Sequence, residues 1–148
     1  MILPDANILL YAVNEASDQH GLALKALEEG FDGPRGVGFA WVAMLAFIRL
    51  STRSGIFPKP LAVEDALRVA QGWIDHPMAQ VLHPTDRHHE MLTHLLVAAG
   101  TAGNLTTDAH LAALAMEHDA TIVSFDRDFG RFEGVQWTIP ARVDPKRR

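Results

Sequence analysis

Short apolar runs and longer stretches of helical period alternate along this chain from one end to the other. The runs fall at 2–3, 37–39, 81–82, 121–125 and 135–139. Between them Ala66, Leu67, Ala70, Trp73 and Ile74 share one helix face, and Leu92, Leu95, Leu96 and Ala99 share another. Such alternation predicts an α/β fold with a mostly parallel central sheet. At 148 residues the chain has the length of one domain, able to bury roughly two-thirds of its unfolded surface. No repeat, low-complexity segment or long linker divides it. Gly/Pro punctuation at 33–36 and 53–60 reads as turns.

Met44, Leu45, Phe47, Ile48 and Leu50 make the helix expected at about 41–52 apolar nearly all round. Such a helix belongs between other elements, with Trp41 and Phe47 as packing residues. The glycine-rich GPRGVG at 33–38 lacks the Lys-Ser/Thr pair of a phosphate loop, so it carries no nucleotide-binding expectation. A formal charge of −5 argues against a generally basic nucleic-acid binder but leaves one local groove open. With no cysteine there are neither disulfides nor thiolate metal sites, so any metal is held by oxygen or imidazole. No basic start followed by a long apolar stretch is present, and no run of about 18 apolar residues, so the expected location is the cytoplasm.

Most acids read as solvated helix faces, but a few do not. Asp5 lies in the apolar opening MILPDANILLYAV, where an unpaired carboxylate is strongly disfavoured. Asp108 stands at the helix start in NLTTDAHLAALA, and Asp126 follows the apolar run in TIVSFDRDF, with Asp128 just beyond. Each has a local explanation: Asp5 as a cap for a helix beginning at Ala6, Thr107 or Asp108 as a cap, Asp126 as an Asx-turn. In a parallel sheet, however, strand ends and the following helix starts share one edge, so all these acids converge there. Two carboxylates about 4 Å apart repel by about 4 kcal/mol at an effective dielectric near 20. A hard cation such as Mg²⁺ or Mn²⁺ reverses that sign and suits phosphodiester chemistry.

The opening LPDANILLYAV, the TDAHLAALA helix start and the closing TIVSFDRDF, with WVAMLAFIRLSTRSGIFPKPL between them, together resemble the PIN-domain ribonucleases. More closely they resemble the VapC toxins of bacterial VapBC toxin-antitoxin pairs. The resemblance runs over residues 1–140 and leaves 141–148 as a short basic tail. It implies a PIN-like three-layer α/β/α sandwich and a Mg²⁺- or Mn²⁺-dependent endoribonuclease in which water attacks a phosphodiester. By resemblance Asp5, Asp108 and Asp126 are metal ligands and Asp128 assists them. Asn7, Ser124 and Thr107 occupy the small polar positions that hold those carboxylates.

The chain departs from the family at one point. Many members carry a Glu-Phe-x-Arg pattern in the buried helix, whereas this chain reads LAFIRL, with Ala46 in place of the glutamate. That points to a single metal held by aspartates and water. Arg49 survives from the pattern and is expected to pair with an acid or to face phosphate. The resemblance also implies a VapB-type antitoxin, a homodimer and a toxin-antitoxin hetero-oligomer, with 8–13 and the helix around Trp41 to Leu50 as contact surfaces. For RNA, Arg49, Arg53 and Arg127 are the first cationic contacts, with Lys59, Arg87 and Arg131 adding to the field.

The histidines do not make a zinc protease motif. In HEMLTH, His89 and His94 are five residues apart and diverge around the helix, where the motif needs four. They are expected on the surface, and His110 is expected either in a capping turn or against RNA. Two rival classes remain. An Asp5-nucleophile phosphatase needs an acid where Asn7 stands, and a binding module would keep the fold without turnover.

Overall fold

The computed structural model describes residues 1–142, so the basic end of the tail lies outside the described residues. The chain runs β1 (Ile2–Pro4), α1 (Ala6–Val13), α2 (His20–Asp32), β2 (Val37–Phe39), α3 (Trp41–Thr52) and α4 (Val63–Ile74). It continues with β3 (Ala79–Val81), α5 (His88–Ala99), α6 (Thr106–Glu117), β4 (Thr121–Val123) and β5 (Trp137–Thr138), with 3₁₀ turns at Gly103–Leu105 and Arg127–Arg131. The strands form one sheet in the order β3-β2-β1-β4-β5. Every pairing is parallel.

Two cores lie on opposite faces of this sheet, completing the expected three layers. One, around Leu95, Leu111, Leu114 and Phe129, packs α5 and α6 against the strands. The other, around Ile8, Leu9, Phe39, Met44 and Phe47, collects α1 to α4. Strand order steps outward from β1 to β2 to β3, then returns to β4 on the other side of β1. That reversal opens a crevice at the carboxyl ends of β1 and β4. In register, Pro4 faces Val123, and the ladder extends one step further through the Asp5 amide, which donates to the Val123 carbonyl at 2.9 Å. Asp5 and Ser124 are thereby brought side by side.

Several expectations change. Helix α3 is not buried all round: Phe47 and Met44 are at most 1 % exposed, but Trp41 is 46 % and Leu45 59 % exposed. Its apolar residues outnumber the partners available, because α1 and α4 cover only the inner side. Leu67, expected in the α4 core stripe, is also exposed, whereas Ala66 and Ala70 are buried. The run at 81–82 pairs as Ala79–Val81, and Leu82 leaves the strand while staying buried. The 121–125 run contributes only its first three residues, since Ser124 and Phe125 turn into the crevice network, and the 135–139 run only Trp137 and Thr138. Much of 8–13 is core rather than contact surface, with Ile8, Leu9, Leu10 and Ala12 buried.

Candidate metal centre at the sheet edge

Asp5 ends β1 and caps α1. Its Oδ1 accepts from the Ala6 amide at 2.7 Å, and its Oδ2 accepts from Ser124 Oγ at 2.7 Å and from Asn7 Nδ2 at 3.3 Å. Asn7 also donates to Ser124 Oγ at 3.1 Å, while its Oδ1 accepts from the Phe125 amide at 3.2 Å. Fully buried Ser124 accepts from the Asp126 amide at 3.0 Å as well. One hydroxyl thus ties the end of β1 to the loop after β4, and each side chain has its orientation set by its neighbours. Capping and site-building are therefore compatible roles for Asp5. Asp126 likewise makes the expected Asx-turn, accepting from the Asp128 amide at 2.8 Å.

Asp108 differs. The residue preceding α6 is Leu105, which offers no side-chain cap, and Thr107 and Asp108 lie inside the helix, so neither caps it. Asp108 instead projects from the first turn of α6 toward the others. One carboxylate oxygen each from Asp108, Asp126 and Asp128 lie within 4.8 Å of one another. Asp5 stands beside this trio rather than in it, and lines a cavity of about 70 Å³ together with Thr107, Asp108, Val42 and Ala46. Ala46, the position at which the family resemblance leads one to expect a glutamate, therefore faces the acids and leaves a small, mostly apolar space there.

The field in this cleft is strongly negative. Burial pushes the Asp108 carboxyl up to about 6, and the charges of Asp5, Asp126 and Asp128 add to the rise. Burial also raises Asp5; hydrogen bonds from Ser124 and Ala6 pull it back, and Asp126 raises it further. Among the described residues no lysine, arginine or histidine forms an ion pair with any of these four aspartates. Carboxylates in this number, without a protein cation, fit a hard divalent ion with an oxygen-only shell completed by water. Arg49, Arg53 and Arg127 are exposed, and Arg49 pairs with no acid among the described residues.

His83, His89 and His94 are exposed as expected, but His88 and His110 are half-buried and paired: His88 Nδ1 pairs with Glu117, whose side chain is 1 % exposed, and His88 Nε2 lies 2.8 Å from His110 Nδ1. Glu117 also accepts from the Thr85 amide at 2.9 Å and from its hydroxyl. Glu117 and His110 are seven residues apart, two turns of α6, which is the only sequence signal that they share a face. Burial pushes Glu117 up, but the bonds from Thr85 and His88 outweigh it and hold the carboxyl below its usual value. Its contribution to stability is thus present above the ordinary glutamate range and is lost as pH falls through the lowered folded value. His88→Ala is expected to cost about 2 kcal/mol at pH 7, read as a fall in the urea midpoint, with the deficit shrinking in acid.

The PIN domain family matches residues 2–135. Among curated proteins, Ribonuclease VapC37 of Mycobacterium tuberculosis is 51 % identical over 140 residues, covering 95 % of this chain and 97 % of that protein. Ribonuclease VapC33 of the same species is 38 % identical over 142 residues, covering 96 % and 99 %. Among solved structures, M. tuberculosis VapC20, described as a Sarcin-Ricin loop cleaving toxin, superposes with a TM-score of 0.65 at 21 % identity, covering 92 % of this chain and 99 % of that one. DNA-bound VapBC from Salmonella typhimurium gives 0.67 at 17 % identity, covering 95 % and 100 %. A match this long, on a sheet whose switch point gathers the acids that the motifs marked, leads to one conclusion: the chain belongs to the PIN-domain family.

Proposed function

We propose that the chain is a divalent-metal-dependent endoribonuclease, the toxin of a type II toxin-antitoxin pair. The observation that carries this reading is the convergence of Asp108, Asp126 and Asp128 beside Asp5, with no protein cation to neutralise them. Relatives named as VapC ribonucleases at up to 51 % identity support the RNA substrate. Asp5, Asp108 and Asp126 would hold Mg²⁺ or Mn²⁺, with Asp128 completing the cluster. The ion, when bound, supplies a more acidic water and offsets charge on the phosphate.

The chain's own residues do the rest. Ser124 and Asn7 keep Asp5 aimed at the cleft, and Ser124 also fixes the Asp126 backbone, the kind of support a metal ligand needs to hold its geometry. Thr107 lines the same cavity. The exposed guanidinium groups of Arg49, Arg53 and Arg127 draw the RNA backbone in by charge. A VapB-type antitoxin, a homodimer and a toxin-antitoxin hetero-oligomer are the assemblies proposed with this activity. No described helix is long and apolar enough to cross a membrane; the RNA acted on is proposed to be cytoplasmic.

Ala46 is the observation favouring a second reading, a protein-binding module without turnover. Purified, antitoxin-free protein incubated with total bacterial RNA in Mg²⁺, Mn²⁺ or EDTA separates the two. Cleavage is expected with either metal, not in EDTA, and not with Asp5→Ala. Equal cleavage by that variant marks a contaminant, and intact RNA under every condition, with antitoxin binding retained, gives the module.

A further inference from the structure

Between Asp32 and Glu64 the sequence holds no acid, yet it carries Arg35, Arg49, Arg53 and Lys59. About half of this stretch is β2 and α3, and Val42, Ala43 and Ala46 of α3 form one wall of the cavity that Asp5 and Asp108 form from the other side. The cleft is therefore bipolar: carboxylates on β1, α6 and the loop after β4, and an acid-free wall on α3. Ala46 sharpens the division, because a glutamate there would place a charge on that wall.

Trp41 sits at the head of the same wall. It is the first residue of α3, directly after β2, so it stands at the carboxyl edge of the sheet with Asp5. Trp41, Leu45 and Arg49 recur at spacings of four, forming an exposed strip about 12 Å long. That strip adjoins the one carrying Val42 and Ala46. An indole left 46 % exposed, beside a Leu45 left 59 % exposed, loses the burial that most tryptophans gain. The cavity itself, at about 70 Å³, has room for roughly two waters, so a nucleobase stays outside it.

We propose that Trp41 is a base platform: a base next to the scissile phosphate of a single-stranded RNA stacks on its indole, while Arg49 and Arg53 take the adjoining phosphates. This rests on the nuclease reading above. An aromatic face followed by cations along one edge is the arrangement by which single strands are held with little regard to sequence. A protein partner would find apolar area at Trp41 and Leu45, but it would not account for the acid-free, cationic continuation of the strip. Trp41 binds substrate and takes no part in the bond-breaking step, so its loss falls on KM and not on kcat.

The test uses the full chain in EDTA, where binding is independent of cleavage, with fluorescein-labelled U12 and A12 oligoribonucleotides as probes. Trp41→Ala is expected to weaken both about tenfold or more, within the range of base–aromatic stacking, and Trp41→Phe to stay within about threefold of the parent. Tryptophan emission is expected to be quenched by the oligomers in the parent and not in Trp41→Phe. In Mg²⁺, Trp41→Ala raises KM with kcat nearly unchanged. Unaltered oligomer affinity and KM in Trp41→Ala, with the parent still cleaving RNA, overturns the platform and leaves the nuclease standing. Unaltered affinity accompanied by a change in oligomeric state by light scattering shows the strip to be a subunit interface and also overturns it. A parent that neither binds the oligomers nor cleaves RNA removes both readings.

Discussion

Asp108→Asn is expected to abolish metal-dependent RNA cleavage, by about a thousandfold or more, while making the metal-free protein more stable. The loss of cleavage follows from removing a proposed metal ligand, and the gain in stability from the Asp108 carboxyl being pushed up to about 6 by burial and by three neighbouring carboxylates. A folded-state value above the unfolded one means that the fold binds this proton better than the unfolded chain does. The resulting stability is fully present below the ordinary aspartate range and is lost as pH rises through about 6. At neutral pH the ionised group therefore works against folding until a cation joins it. Replacing it by the neutral amide of similar shape removes that repulsion, a gain of about 1 kcal/mol once solvent screening of a half-open cleft is allowed for.

Thermal melts separate these contributions. With EDTA, the parent is expected to melt lower at pH 7.5 than at pH 5, with Asp108→Asn melting above it at pH 7.5 and level with it at pH 5. Mg²⁺ or Mn²⁺ is expected to raise the parent at pH 7.5 by mass action, and to raise the variant much less. Metal affinity itself should weaken as pH falls below about 6, where a proton competes for Asp108. A parent insensitive to metal at every pH would mean that the carboxylates do not form a metal centre. An exchange of stability for a site of this kind is what function commonly requires.

Strand positions were legible because each apolar run is short and bounded, although pairing starts two residues before the 81–82 run and ends two residues before the close of the 121–125 run. The acids were legible for a different reason. A carboxylate in MILPDANILL has no local justification beyond a cap, and parallel topology supplies a common edge to bring it to the others. Which of them stand closest was not legible, since Asp5 spends its oxygens on Ala6 and Ser124 while Asp128 swings into the trio. Periodicity also failed on α3: it reports that a helix is apolar all round, but not whether a partner exists for each side. The His88–Glu117 pair spans 29 residues and two helices, so no local pattern announces it.

GPRGVG shows the same limit from another side, since its glycines serve the sheet and not a phosphate. Gly36 has φ +68, and a Cβ built on it would fall inside the carbonyl oxygen of Met78. That carbonyl cannot simply retreat, because it accepts from the Val37 amide at 2.9 Å and so starts the β2–β3 ladder. On the other side the Gly36 carbonyl accepts from Ile2 at 3.2 Å, joining β2 to β1. Gly36→Ala is therefore expected to cost about 3 kcal/mol or more, combining left-handed strain of about 1 to 2 kcal/mol with a backbone clash of similar size. Gly100→Ala isolates the first part: Gly100, with φ +74, ends α5, and a Cβ there meets nothing within 4 Å. Its cost in urea unfolding should be about 1 kcal/mol, and the excess shown by Gly36→Ala measures how tightly β2 is held. Because β2 leads directly into Trp41 and the α3 wall, a Gly36 variant that still folds should lose RNA affinity together with stability, whereas Gly100→Ala should lose stability alone.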